Sequence, residues 1–177
     1  LQADLRRLRW ALSKESMEDL AQYTEIVKSF LSKWEKNLSG CNYVVEFGFK
    51  LILHKGEKLR KEEALYKLMC LSSISDIEFT KCNEHEMKSN ISNLLRTGGF
   101  ETQPSHFTKE IVKDINNKML PKYYEHIKHY INLGSSNIYK LTNVPDAPCF
   151  DIFWSYTYLV TDHNRGTSII IWGGASD

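Results

Sequence analysis

Hydrophobic positions recur along this chain with two different periods, and each change of period marks an element. Leu1, Leu5, Leu8 and Leu12 step by four, three and four, which lines one stripe of a helix. Ser16, with Asp19 three residues later, reads as a capping box that can restart the helix. From there Leu20, Thr24, Val27, Leu31, Trp34 and Leu38 alternate steps of four and three, an a/d-like seam that precedes Gly40 as its expected terminator. The pattern predicts a helical hairpin or a bent long helix over residues 1–40. Its apolar stripe either packs on the chain's own sheet or joins a partner through a short coiled coil or bundle.

From Asn42 to His54 the period drops to two. Tyr43, Val45, Phe47, Phe49, Leu51 and Leu53 alternate with Val44, Glu46, Gly48, Lys50 and Ile52, which predicts a long strand bulged or bent at Gly48. Good helix formers then fill Glu57 to Leu71, Ile74 to Thr80 suits a short strand, and Glu84 to Arg96 reads as a second helix stopped by Thr97-Gly98-Gly99. Thr108 is placed to cap a helix that Pro121 interrupts and that resumes from Tyr123 towards Gly134. Ile138 to Leu141 suits another strand, and the turn-rich Asn143 to Pro148 feeds the last segment.

That last segment is the clearest. Phe150, Ile152, Trp154, Tyr156, Tyr158 and Val160 occupy every second position, and Thr167 to Trp172 returns as a β-branched strand after turn residues. Two registers fit this hairpin. A three-residue loop, Asn164-Arg165-Gly166, sets Val160 against Ile170 and Tyr158 against Trp172. A four-residue loop from His163 to Gly166 sets Val160 against Ile169 and Tyr158 against Ile171. The first is preferred, because Gly166 then has a conformational role as a left-handed residue and two large aromatics pair across the strands.

Together the elements predict an α+β fold: an N-terminal helical element over residues 1–40, then an α+β body over 41–177, joined as one unit. The body is expected to hold a mixed, mainly antiparallel sheet of three to five strands, covered by helices and closed by the C-terminal hairpin. With 177 residues and 42% hydrophobic content, the chain has the means to bury a core without disulfides or metal. Its 23 basic and 22 acidic residues make no global field for nucleic acid or acidic membranes. No apolar run reaches the roughly 18 residues that span a bilayer, and Leu1 to Leu12 lacks a signal-peptide core. Cys41, Cys70, Cys82 and Cys149 form no CxxC pair and read as reduced thiols. The sequons at Asn37 and Asn90 fall within chance for such a sequence.

Candidate chemistry is sparse. His126 and His129 lie three apart on a predicted helix, where two imidazoles can share a metal if Asp146, Asp151 or Cys149 approaches. Asp146 and Asp151 also suit a metal-dependent nuclease, but the acid and lysine that would complete it have only a poor counterpart in Glu46 and Lys50. His85 sits between two glutamates, while His106 and His163 fall in a loop and a turn. Neither a phosphate-binding glycine loop nor a Gly-x-Ser-x-Gly elbow occurs. Arg6, Arg7 and Arg9, and then Lys55, Lys58, Arg60 and Lys61, are basic clusters. Glu57, Glu62 and Glu63 dilute the second, so nucleic acid is not the expected partner.

The sequence therefore points to a non-enzymatic intracellular domain, cytoplasmic or nuclear, that contacts a protein partner or a second copy. The expected contact residues are Leu20, Val27, Leu31, Trp34 and Leu38, with Trp34 as anchor, and no cofactor and no membrane are expected. The alternative is a metal-dependent hydrolase or nuclease built on His126, His129, Asp146 and Asp151. A secreted recognition domain is a third class, and it would require disulfides.

Overall fold

The alternating segments pair into one open, fully antiparallel sheet. Its strands are β1 (Val44–Leu53), β2 (Glu78–Cys82), β3 (Asn137–Thr142), β4 (Trp154–Asp162) and β5 (Thr167–Ser176), lying side by side in the order β1-β5-β4-β3-β2. The helices are α1 (Gln2–Leu38), α2 (Lys61–Met69), α3 (Glu84–Thr97), α4 (Lys109–Asp114) and α5 (Leu120–Tyr130). This computed structural model describes residues 2–40, 43–54, 57–71, 74–98, 106–144 and 153–176, with α1 side chains from residue 18 onward. The fold is α+β. No described helix is long and apolar enough to cross a membrane.

α1 is one uninterrupted helix of 37 residues, about 55 Å long at the usual rise, so the break in the apolar stripe between Leu12 and Leu20 does not become a turn and Ser16 starts no second helix. Gly40 is not its left-handed terminator. A Cβ there would lie 2.8 Å from the His106 ring, and His106 Nε2 instead caps the Leu38 carbonyl at 3.0 Å. Pro121 does not break the α4–α5 run either. The backbone widens into a π turn at Ile115–Met119, where the Leu120 N–H reaches the Ile115 carbonyl, and the helix continues.

The sheet is buried on both faces. Val45, Phe47, Phe49, Trp154, Tyr156, Tyr158, Ile169 and Ile171 face the larger core, where α1, α3 and α5 supply Val27, Leu31, Met87, Ile91, Tyr123 and Ile127. Leu141, Leu159, Ile170 and Trp172 face the opposite side under Leu65 and Leu68 of α2. The buried aromatics keep their polar tips paired. Trp154 Nε1 donates to the Tyr43 hydroxyl at 2.7 Å, Asn90 Nδ2 donates to the Tyr158 hydroxyl at 2.8 Å, and the Tyr123 and Tyr156 hydroxyls meet at 3.2 Å.

Gly48 is neither bulge nor bend. The β1–β5 register runs through it without a break, from Val44 opposite Ser176 to Leu53 opposite Thr167. Glycine is needed there because the Trp172 indole lies across it, and a Cβ would sit 1.8 Å from Trp172 Cε2.

The hairpin adopts the second register. Val160 faces Ile169, Tyr158 faces Ile171, and Asp162 faces Thr167, leaving a four-residue loop. Gly166 still has positive φ, at 60°, so its conformational freedom suits either loop and does not decide between them. The deciding group is the Asp162 carboxylate. It is fully buried, accepts the N–H groups of Asn164 at 3.0 Å and Arg165 at 3.1 Å through Oδ1, and holds Asn132 N–H at 2.8 Å through Oδ2. Asp162→Ala leaves three backbone donors without this acceptor and is expected to cost about 2–3 kcal/mol in urea unfolding. Asp162→Asn, which keeps one oxygen, is expected to cost less. Unchanged stability in the alanine variant would contradict this role.

Candidate functional site

The apolar seam read from the sequence is used inside the molecule. Val27, Leu31, Trp34 and Leu38 are buried against the sheet, Trp34 at 7% exposure, because α1 lies along β1 and covers the aromatic face. A partner contact through those four side chains would require α1 to leave the sheet. Leu20 remains half-exposed. It lines a shallow depression of about 570 Å³ with Thr24, Glu25 and Lys28.

The geometry between α1 and β1 yields a more specific feature. β1 is an edge strand, paired on one side with β5. Backbone groups of an antiparallel edge alternate between facing the neighbour and facing outward. The Val45 N–H goes to Ser39 Oγ at 2.9 Å and the Phe47 N–H goes to Glu35 Oε1 at 2.8 Å, so odd-numbered residues face away from β5. The ladder continues on the even side, where His54 N–H donates to the Gly166 carbonyl at 2.7 Å. Phe49 and Leu51 therefore also direct their N–H groups outward, and α1 offers them no acceptor among the described residues.

At this point a recess of about 550 Å³ opens between the two elements. Its walls are Thr24, Lys28, Leu31, Ser32 and Glu35 of α1 and Phe47 to Ile52 of β1, with Leu68 and Trp172 at its far side. Glu35 and Ser39 protect one half of the edge, as native proteins commonly do with exposed strands, and the recess marks the half left open. Lys28, paired with Glu25 at 2.7 Å, and the exposed Lys50 sit beside it.

The histidine pair lies elsewhere, on α5, gathered around Tyr23 of α1. The Tyr23 hydroxyl donates to the His126 carbonyl at 2.9 Å and sits 3.1 Å from His126 Nδ1, while the His129 ring stacks on Tyr23 at 4.5 Å. A phenol has one proton. With that proton on the carbonyl, Nδ1–H must donate to the phenol oxygen, leaving Nε2 unprotonated. Nε2 is buried without a hydrogen-bond partner, near the Phe30 ring. No three potential metal ligands converge among the described residues. Asp146, Cys149 and Asp151 lie outside those residues, as does Cys41, while Cys70 and Cys82 are unpaired thiols. His106 caps α1, His85 sits in the first turn of α3, and His163 edges the His54 ring at 6.4 Å.

Burial holds the His126 pKa below the usual imidazole range. Lys122 and His129 push the same way and Glu125 opposes them. Burial likewise pushes the Tyr23 phenol up to about 12, with Tyr130 and Glu125 adding to it. For His126, the unfolded chain takes up the proton first as pH falls through about 6.5. Its contribution to stability is then full above that pH and lost below it, towards the depressed folded value. Urea unfolding at about pH 7.5 and about pH 5.5 is expected to show a larger loss for the native chain than for His126→Gln. Equal losses would contradict the buried neutral imidazole.

Sequence reasoning missed Tyr23, Glu35 and Ser39, none of which belongs to the apolar stripe. It missed the recess as well, because the edge position of β1 is a property of the assembled sheet.

No protein-family model and no curated protein matches this sequence. Its fold does resemble solved structures. Two crystal structures of citrus MAF1, in space groups P 31 2 1 and C 2 2 21, align with a TM-score of 0.55 at 11% and 12% identity, over 83% of this chain and 98% of theirs. At that identity the likeness is one of fold.

Proposed function

We propose that this is a non-enzymatic protein-interaction domain that takes an extended segment of a partner protein along the open half of β1. The observation that carries the reading is the divided edge. Ser39 and Glu35 close the N–H groups of Val45 and Phe47, whereas those of Phe49 and Leu51 face a recess with no acceptor from α1. An incoming strand supplies acceptors at that two-residue repeat, and its alternate side chains enter the apolar walls at Leu31, Leu68 and Trp172. Lys28 and Lys50 favour an acidic segment there. Leu20 extends the same surface along α1, so one member of the seam keeps a role in contact. An intracellular setting, cytoplasmic or nuclear, belongs to the same proposal and agrees with the free thiols of Cys70 and Cys82.

Leu51→Pro separates this reading from a purely structural edge. Its N–H faces away from β5, so proline removes the outward donor without removing a ladder bond. Short unstructured peptides selected from a display library are expected to perturb the amide resonances of Phe49 and Leu51. Leu51→Pro and the recess-filling Ser32→Trp should each weaken that binding by about tenfold or more. Selected peptides that map elsewhere, or that ignore both substitutions, would overturn the proposal. Sedimentation with and without Leu51→Pro shows whether a second copy is the occupant. A dimer that the proline dissolves identifies a second copy of β1 as the added strand.

A further inference from the structure

On the sheet face opposite α1, where β4 turns into β5, the chain forms a second recess of about 380 Å³. Three cationic side chains reach it, Lys58, Arg60 and Lys61, beside the His163 imidazole and the single carboxylate of Glu62. That imbalance is local, since the whole chain carries a net charge of only +1. Arg60 is shared with Glu63 at 3.2 Å on the exposed surface, and Lys61 is 3.8 Å from Glu62, a loose pair. The Lys61 ammonium is also held over the rings of Phe79 at 4.8 Å and Tyr139 at 5.3 Å, which fixes a positive charge against the wall of the recess. Lys58 has no acidic partner among the described residues.

The neutral lining matches this charge. Asn137 and Tyr139, from β3, border the recess with a side-chain amide and a hydroxyl that have no hydrogen-bond partner among the described residues. Beneath them the structure keeps polar groups where neighbouring positions such as Leu159 and Ile170 are apolar. Thr161, which lines the recess at 2% exposure, is bonded to Ser168 Oγ at 3.1 Å. Ser168 meets His54 Nε2 at 3.1 Å, and His54 Nδ1 meets the Glu57 carbonyl at 2.8 Å. Burying such a chain is costly unless its members are paired, and here it ends at the recess.

We propose that this recess binds a phosphate-type oxyanion, free or as a phosphate monoester. Lys58 and Lys61 supply charge, and Asn137, Tyr139 and Thr161 supply neutral hydrogen bonds. A doubly charged tetrahedral anion satisfies several converging donors at once, and lysine commonly holds phosphate as a point charge. The recess lies on the opposite face of the sheet from most of the β1 groove, and the inference does not depend on the proposed strand addition.

Titration of the intact chain with inorganic phosphate, followed by amide resonances at constant ionic strength, tests it. Saturable shifts are expected at Lys61, Tyr139 and Thr161. Lys58→Gln and Lys61→Gln should each weaken binding by about tenfold, as expected for losing a charge-assisted contact. Both positions lie on the surface, and an unchanged melting temperature confirms that the variants fold. O-phosphoserine as a second probe separates the sources. Tighter binding than phosphate indicates an esterified ligand and equal binding indicates the bare anion, and each outcome supports the site. Shifts that fail to saturate, that chloride reproduces, or that survive both substitutions would overturn it.

Discussion

The register of the β4–β5 hairpin is the constraint on which the rest of the molecule depends. These two strands occupy the middle of the sheet, with β1 on one side and β3 and β2 on the other. Slipping β5 by one residue against β4 would exchange its faces. Ile169 and Ile171 would leave the core under α1, and Ile170 and Trp172 would enter it. The buried Asp162 carboxylate holds the four-residue loop that forbids this slip, and through Asn132 it also fastens the end of α5 to the turn. Trp172 then lies on Gly48, which locks β1 in turn. The alternation of β1 follows, and with it the identity of the N–H groups that point outward.

The helices answer the demands of that sheet. Its aromatic face is broad, and α1 covers it with the stripe that a two-molecule contact would have used. The same helix uses two polar side chains, Glu35 and Ser39, to close part of the exposed edge. A long helix that both covers the core and guards an edge produces a divided strand, closed at Val45 and Phe47 and open at Phe49 and Leu51. The candidate site is a consequence of how far that guard extends.

Much of this architecture is legible in the residues. The seam from Leu20 to Leu38, the alternation from Tyr43 to Leu53 and the aromatic run from Trp154 to Val160 place α1, β1 and β4, since burial on one face leaves a periodic trace. Other features leave no such trace. Pairing Tyr158 with Trp172 is favourable as a local aromatic contact. It loses to a single carboxylate whose partners at Asn132, Asn164 and Arg165 come together only in the folded chain. Gly48 reads as a bulge because the sequence does not show an indole crossing from the neighbouring strand. The seam by itself does not name its cover, because a helix stripe reads the same whether it meets the chain's own sheet or another molecule. Spacing places the two histidines on one helix, as α5 does, but Tyr23, about a hundred positions earlier, determines what they do.

The divided edge is open to direct measurement by amide hydrogen exchange in the native protein. Lys50 and Ile52, which face β5, should exchange slowly with the core of the sheet, and Val45 and Phe47 should share that protection through Ser39 and Glu35. Phe49 and Leu51 should exchange much faster than either group. Protection at Phe49 and Leu51 equal to that at Lys50 would mean that this edge is already paired, and it would contradict the account.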